Sequence, residues 1–169
     1  MAHGATIGRT ALSEIKVSDA ESQLQGFIDR FDPHIAALAR ACRERLRRRF
    51  PAAFELVYDN YNALAIGYAP SQKTSDCIVS LALYPRNVRL FFYWGAELAD
   101  PAGRLEGSGN QVRSVPFTDA QIFDDPQVLA LFDAAEANPR HSKWGEAGGT
   151  IIKSVSAKQR PRRPSVSTG

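Results

Sequence analysis

The sequence contains only two cysteines, one methionine and three histidines, and the scarcity of cysteine excludes several classes of protein. Cys42 and Cys77 are too few for a disulfide scaffold and lack the spacing of a zinc or redox motif. We expect both to be buried free thiols of a protein in a reducing compartment. No segment approaches the roughly 18 to 20 apolar residues that cross a bilayer, and residues 1–10 lack the apolar region of a secretory signal. The sequence therefore predicts a cytoplasmic protein without a membrane partner.

The histidines are poorly placed for catalysis. His3 lies in the terminus 1–17, which we expect to be frayed, His34 lies in the first turn of a predicted helix, and His141 lies in a polar loop. Nucleophilic catalysis needs a base within reach of a serine or cysteine, and none of the three lies at a strand end beside such a residue. Because no histidine is placed to act as the base, the sequence favours a protein that is not an enzyme.

Charge is segregated along the chain. The formal net charge is +3, but residues 153–169 carry five basic residues and no acid, which leaves −2 for residues 1–152. Residues 40–49 contain six arginines and one acid, whereas residues 119–136 contain five acids and no base. We interpret the arginine block as a solvated helix end, with contact to a phosphate backbone as the alternative.

Apolar periodicity predicts the elements of the fold. Residues 18–31 and 34–49 have helical spacing, and Asp32-Pro33 starts the second helix while Pro51 stops it. From residue 55 the period changes to two, which predicts strands at 55–59, 63–69, 76–84, 88–94 and 111–117. Strand 76–84 is apolar on both faces and should be central, whereas Pro116 marks an edge strand. Asp125-Pro126 begins a last helix, and residues 150–155 form a last strand.

This order predicts a single α+β domain over residues 18–155. Its sheet should be mainly antiparallel, with about five to six strands, packed with the N-terminal helices and one later helix. Residues 156–169 contain almost no apolar residue, and Pro161 and Pro164 break any helix, so we expect a disordered basic tail.

Tyrosine and arginine concentrate in the predicted strands, which suits a groove or a contact surface. The sequence predicts a sheet face or groove that binds a small anionic ligand or a protein partner, although most of these aromatic residues also suit a core. The candidate ligand-binding residues are Tyr58, Asp59, Tyr84, Arg89 and Arg113.

Two further hypotheses rest on charge. Carboxylates before and in the last helix suit a hard cation, and they equally suit helix capping. The basic tail has no folding role in this interpretation and suits nucleic acid or another anionic partner. The candidate metal ligands are Asp119, Asp124, Asp125 and Glu136, and the candidate tail contacts are Lys158, Arg160, Arg162 and Arg163.

Five stretches together carry a family resemblance: the helix that ends in Arg49-Phe50-Pro51, then residues 55–61, 80–85, 90–92 and 107–113. Over about residues 20–137 the chain resembles the YdhG-like domain family, bacterial domains of mostly unknown function, one branch of which is described as a frataxin-like iron chaperone. Glu106 stands where the family commonly has lysine. The resemblance implies an antiparallel sheet packed with helices, no known enzymatic activity for most members, and iron handling by extension from that branch.

These observations lead to one expected function and two alternatives. We expect a non-enzymatic cytosolic binding domain of the YdhG-like type, without a cofactor. The first alternative is an iron-binding chaperone of the frataxin-like kind, and the second is a nucleic-acid-associated protein that binds through its tail.

Overall fold

The computed structural model describes residues 8–165, with side chains from residue 19 onward, and the predicted α+β fold is confirmed. Within that range the helices are α1 (Gly8–Asp29), α2 (Pro33–Arg49) and α3 (Pro126–Glu136). The strands are β1 (Phe54–Asp59), β2 (Leu64–Ala69), β3 (Val79–Leu83), β4 (Val88–Phe92), β5 (Arg113–Phe117) and β6 (Thr150–Val155).

The six strands form one sheet in the order β5-β4-β3-β2-β1-β6. The four pairs from β1 to β5 are antiparallel, β3 lies inside the sheet, and the Pro116 strand lies at its edge, as predicted. The remaining pair, β1 with β6, is parallel. A parallel partner needs a crossover, and α3 with the following residues 137–149, called the α3–β6 loop below, supplies it.

The first helix is longer than predicted. It begins at Gly8 rather than near residue 18, so residues 8–17 are helical and not frayed. Residues 8–17 contain no proline and include good helix formers such as Ala11, Leu12 and Glu14, so nothing in the chain stops the helix there. Residues 1–7 of the predicted frayed terminus lie outside the described residues.

The main core lies between the helices and one face of the sheet. Helix residues such as Leu24, Leu46 and Phe132 pack against strand residues such as Ile66 and Phe92, all of them fully buried. A smaller cluster lies on the opposite face. Both cysteines are free and buried as predicted, and burial raises the pKa of each thiol to about 12. No helix within residues 8–165 combines the length and the apolarity that crossing a membrane requires.

The predicted disordered tail is wrong for residues 156–165. Ser156 N donates to the Asp59 carbonyl oxygen at 2.8 Å, and Arg160 N donates to the Tyr61 carbonyl oxygen at 2.9 Å. Arg162 is buried in an ion pair with Asp59, whose side chain is 1% exposed. A buried carboxylate needs a charged partner, and the composition of the tail does not reveal that it supplies one. Residues 166–169 lie outside the described residues.

Candidate functional site

The five residues predicted to form a groove do not converge. Tyr58 and Arg89 lie in one cross-strand row on the same sheet face, but two strands separate them, which is roughly 14 Å. Tyr84 lies in the turn between β3 and β4. Asp59 follows Tyr58 in β1 and therefore points to the helix side, and Arg113 pairs with a core residue of β4 on that same side.

The polar groups of three of these residues, Tyr58, Arg89 and Arg113, are also engaged with their neighbours. The Tyr58 hydroxyl bonds to the Thr74 hydroxyl, and Arg89 Nη2 donates to Glu106 Oε2 at 2.7 Å. Arg113 Nη1 donates to backbone carbonyls of its own loop. The sheet-face groove therefore stays a prediction, and another region holds the better-formed site.

The two blocks of opposite charge pair with each other. Arg45 of α2 bonds to Asp124, and Arg49 Nη2 lies 2.6 Å from Asp133 Oδ1 and 3.3 Å from Glu136 Oε2. Exposed ion pairs contribute little stability each, but they reduce the positive charge that the arginine block offers to a phosphate backbone. The segregation of charge in the sequence thus reflects one interface between α2 and the α3 region.

Two of the predicted metal ligands, Asp119 and Asp125, cap helices, whereas Asp124 and Glu136 pair with arginines of α2. Asp119 Oδ1 accepts from Gln121 N at 2.8 Å, and Asp125 Oδ1 accepts from Gln127 N at 2.9 Å at the start of α3. Asp125 also pairs with Arg104. In the part of the chain that the structure describes, no three His, Cys, Asp or Glu residues are grouped to hold a metal ion. The iron hypothesis stays a prediction.

A pocket of about 310 Å³ opens beside α1, the end of α2 and the start of β6. We call it the Glu55 pocket. Its walls combine charged, aromatic and backbone groups from segments that are distant in the sequence. It is lined by Glu21, Arg47, Phe50, Pro51, Ala53, Glu55, Tyr68, Gly148, Gly149 and Thr150.

The floor of the Glu55 pocket is a buried carboxylate with four donors. Glu55 Oε2 accepts from Arg43 Nε at 2.8 Å and from the Tyr68 hydroxyl at 2.9 Å. Glu55 Oε1 accepts from Arg43 Nη2 at 2.9 Å and from the Thr150 hydroxyl at 3.1 Å. A carboxylate has about four acceptor positions, so Glu55 has none left for a ligand.

Arg43 joins this floor to α1. Its side chain is 5% exposed, and its Nη1 and Nη2 donate to Glu21 at 2.7 and 2.5 Å. The bond from Arg43 lowers the pKa of Glu21 to about 2. Burial opposes the charge of Arg43, but its bonds to Glu21 and Glu55 outweigh burial and raise the pKa of the guanidinium. Burial, with Glu55 beside it, raises the pKa of Tyr68, so its hydroxyl stays protonated and donates.

Arg47 stands at the mouth of the pocket and, unlike Arg43, is exposed. Its side chain is 58% exposed, and its Nε lies 3.6 Å from Glu55 Oε1, which is beyond a hydrogen bond. It makes no hydrogen bond to any side chain that the structure describes. Arg48, the next residue, instead pairs with Glu44 one turn earlier. Among the described side chains that line this pocket, Arg47 is therefore the donor that has no hydrogen-bond partner.

Two consecutive glycines form the wall opposite α2. Gly148 N donates to the Ala52 carbonyl oxygen at 3.1 Å, and a Cβ at Gly148 would lie 2.5 Å from backbone atoms of Ala53. A Cβ at Gly149 would meet nothing within 4 Å. Gly148 thus permits close approach of two backbones, whereas Gly149 borders open space.

The α3–β6 loop that carries these glycines is fixed at its other end. Ser142 N donates to Asp76 Oδ1 at 2.9 Å, and His141 Nδ1 lies 3.6 Å from the same oxygen. Arg140 Nη2 lies 2.7 Å from Glu97 Oε1. His141, to which the sequence assigned no partner, therefore lies where the loop that forms the pocket wall is held against Asp76.

Sequence reasoning missed this site for identifiable reasons. Arg43 was one of six arginines in a block interpreted as solvated, and Glu55 stood only as the first residue of the predicted strand 55–59 and of the stretch 55–61 that carries the family resemblance. A signal was present, because Arg43 lies four residues after Ala39 and three before Leu46, both on the apolar stripe of α2. Glu55 alternates with Val57, which marks it as facing the core.

The link between Glu21 and Arg43 predicts a pH-dependent stability. We expect Glu21→Gln to lower the free energy of unfolding by about 1 kcal/mol near neutral pH, because Glu21 is partly exposed and its charge pairs with Arg43. The folded pKa of about 2 lies below the ordinary value of 4.5. The stabilisation is therefore present above about pH 5 and is lost as pH falls through that interval.

Urea denaturation of Glu21→Gln and of the native chain at about pH 7 and about pH 2.5 measures this effect. Glu44→Gln removes an exposed acid of the neighbouring pair and should change little at either pH. A difference for Glu21→Gln that is as large in acid as at neutral pH contradicts the assignment.

Comparison with protein-family models, with characterised proteins and with solved structures finds no match to this chain. The resemblance to the YdhG-like family therefore stays a prediction, and the functional argument rests on the geometry of the Glu55 pocket.

Proposed function

We propose that this chain is a binding domain for a small organic anion with an apolar body, held in the Glu55 pocket. The observation that carries the proposal is the division of the pocket's polar groups. The carboxylates of the floor are occupied by Arg43, Tyr68 and Thr150, while Arg47 at the mouth keeps its donors available among the described residues. A guanidinium whose donors are unoccupied favours a negatively charged ligand that accepts hydrogen bonds.

The remaining lining supports an apolar body on the ligand. Phe50, Pro51 and Ala53 contribute apolar surface to the pocket. Its volume lies at the low end of the roughly 300 to 1,000 Å³ found for small-molecule sites. The hydrogen-bonded floor is fixed before binding, which reduces the ordering cost of association. The arrangement suits a short-chain or aromatic carboxylate.

The state of the floor favours binding over proton transfer. Glu55 accepts four hydrogen bonds, and the raised pKa of Tyr68 keeps its hydroxyl protonated. A general base must have a lone pair within reach of the proton that it removes. Those of Glu55 accept from Arg43, Tyr68 and Thr150, and Tyr68 keeps its proton and donates it to Glu55.

Isothermal titration calorimetry with hexanoate tests the proposal. We expect one saturable site in the native chain and at least about tenfold weaker binding in Arg47→Met, because a charge-assisted hydrogen bond contributes about 1.5 to 3 kcal/mol. Arg48→Met removes a neighbouring arginine that does not line the pocket, and its binding should equal that of the native chain.

Gly149→Leu provides a steric test of the same site. Its backbone does not have a positive φ, and the added side chain enters the open space beside the pocket. We expect it to exclude hexanoate and benzoate while the chain remains folded. Absence of binding to the native chain at about 10 mM of either anion, or equal affinity in Arg47→Met, would overturn the proposal.

A further inference from the structure

The C-terminal segment of the chain packs against the residues that follow α1 and β1. Residues 156–165 leave β6 and cross the end of α1 and the turn after β1 without forming regular secondary structure. We call the surface that they cover the Asp59 groove. It consists of Arg30, Phe31, Asp59, Asn60 and Tyr61.

Gln159 is bound at both ends of its amide. Its Nε2 donates to the Asp59 carbonyl oxygen at 3.1 Å and to Asp59 Oδ2 at 2.8 Å. Its Oε1 accepts from Arg30 Nη1 at 2.7 Å. This pattern of two donors and one acceptor selects an amide side chain at that position.

Arg162 fills the deepest part of the groove. Its side chain is 2% exposed, and its Nη2 lies 2.7 Å from Asp59 Oδ1 and donates to the Asn60 carbonyl oxygen at 2.5 Å. Its guanidinium carbon lies 5.7 Å from the centre of the Phe31 ring. A buried carboxylate below and an aromatic face beside the cation are features that favour arginine over lysine.

The fit of this segment is incomplete. Arg162 Nε and Nη1 are buried and have no hydrogen-bond partner among the described residues. Burial of unpaired donors costs free energy, which offsets part of the gain from Nη2. The segment also adds no strand to the sheet, so its departure leaves every strand pairing in place.

We propose that the Asp59 groove is a peptide-recognition site, occupied in cis by residues 156–165, that takes an extended partner segment with glutamine and arginine three positions apart. Departure of the cis segment leaves the buried Asp59 carboxylate with the 3.5 Å contact to Arg30 Nη1 and without the 2.7 Å pairing to Arg162. An occupant that supplies an arginine restores that closer pairing. The groove is distinct from the Glu55 pocket, and its occupancy does not depend on the anion proposal.

Fluorescence anisotropy with a labelled peptide of residues 156–165 tests this in the full chain. We expect weak binding to the native chain, whose groove is occupied, and at least about tenfold tighter binding to Arg162→Ala, whose own segment is weakened. Arg163→Ala serves as the control, because Arg163 is 55% exposed, lies 3.9 Å from Asp32 Oδ1 and makes one exposed bond of 3.2 Å to the Arg30 carbonyl oxygen. We expect the groove of this variant to stay occupied by its own segment. A peptide in which Gln159 and Arg162 are both replaced by alanine should not bind.

Equal binding of the peptide to the native chain and to Arg162→Ala, or no binding to either, overturns the proposal. Amide hydrogen exchange on the native chain gives a second test that needs no substitution. The Arg160 amide, bonded to Tyr61, should exchange faster than the β6 amides, because the segment opens without the sheet. Exchange as slow as that of β6 also overturns it.

Discussion

Arg43→Met is expected to lower the free energy of unfolding by about 3 to 5 kcal/mol, the largest effect of any substitution considered. Among the residues that the structure describes, Arg43 is the sole charged partner within hydrogen-bonding distance of the buried Glu55, and it also binds Glu21. Methionine preserves much of the side-chain volume but leaves Glu55, only 4% exposed, as an uncompensated buried charge. Removal of one partner of a buried pair is costly because the other partner remains desolvated.

Denaturant unfolding measures this effect, with Arg48→Met as the control. Arg48 lies on the same helix in an exposed pair with Glu44, and its loss should change the free energy of unfolding by less than about 0.5 kcal/mol. The double variant Arg43→Met/Glu55→Met should be more stable than Arg43→Met alone, because it removes both buried charges. Additive losses in the double variant contradict the pairing.

Gly148→Ala is expected to destabilise the fold by about 2 to 3 kcal/mol. The new methyl group would lie 2.5 Å from the carbonyl carbon and oxygen of Ala53 and 2.6 Å from Phe54 N. These atoms belong to the backbone that enters β1, so relief of the overlap requires a shift of the α3–β6 loop or of the strand. Thermal unfolding followed by circular dichroism measures the loss.

Gly149→Ala is the matched control for this substitution. Its methyl group meets nothing within 4 Å, and neither glycine has a positive φ, so conformational strain does not distinguish them. We expect Gly149→Ala to lie within about 0.5 kcal/mol of the native chain. Equal destabilisation at both positions would show that the loop does not approach β1 as closely as described.

Local signals explain the parts of the fold that the sequence predicted well. Asp125 and Pro126 define the start of α3 by capping and fixed φ, so its first residue was predictable. Pro116 lacks a ladder donor, which placed β5 at an edge. Each of these signals acts within a few residues of the feature that it determines.

The sites depend on pairings that no local signal specifies. Arg43 meets Glu55 across 12 positions, and Arg162 meets Asp59 across 103. Periodicity shows which residues face the core, but it does not show which arginine of a block neutralises a given carboxylate. Composition alone therefore predicted a solvated arginine block and a disordered basic tail. In the structure each of the two segments contributes one buried guanidinium, that of Arg43 and that of Arg162.

A nuclear magnetic resonance titration of the labelled native chain with hexanoate tests the central claim most directly, because it reports where the anion binds. We predict chemical-shift changes at the Gly148, Gly149 and Thr150 amides and near Phe50 and Glu55, saturating together as one site. The absence of shifts, or shifts confined to the sheet face around Arg89, would contradict the assignment of the Glu55 pocket as the binding site.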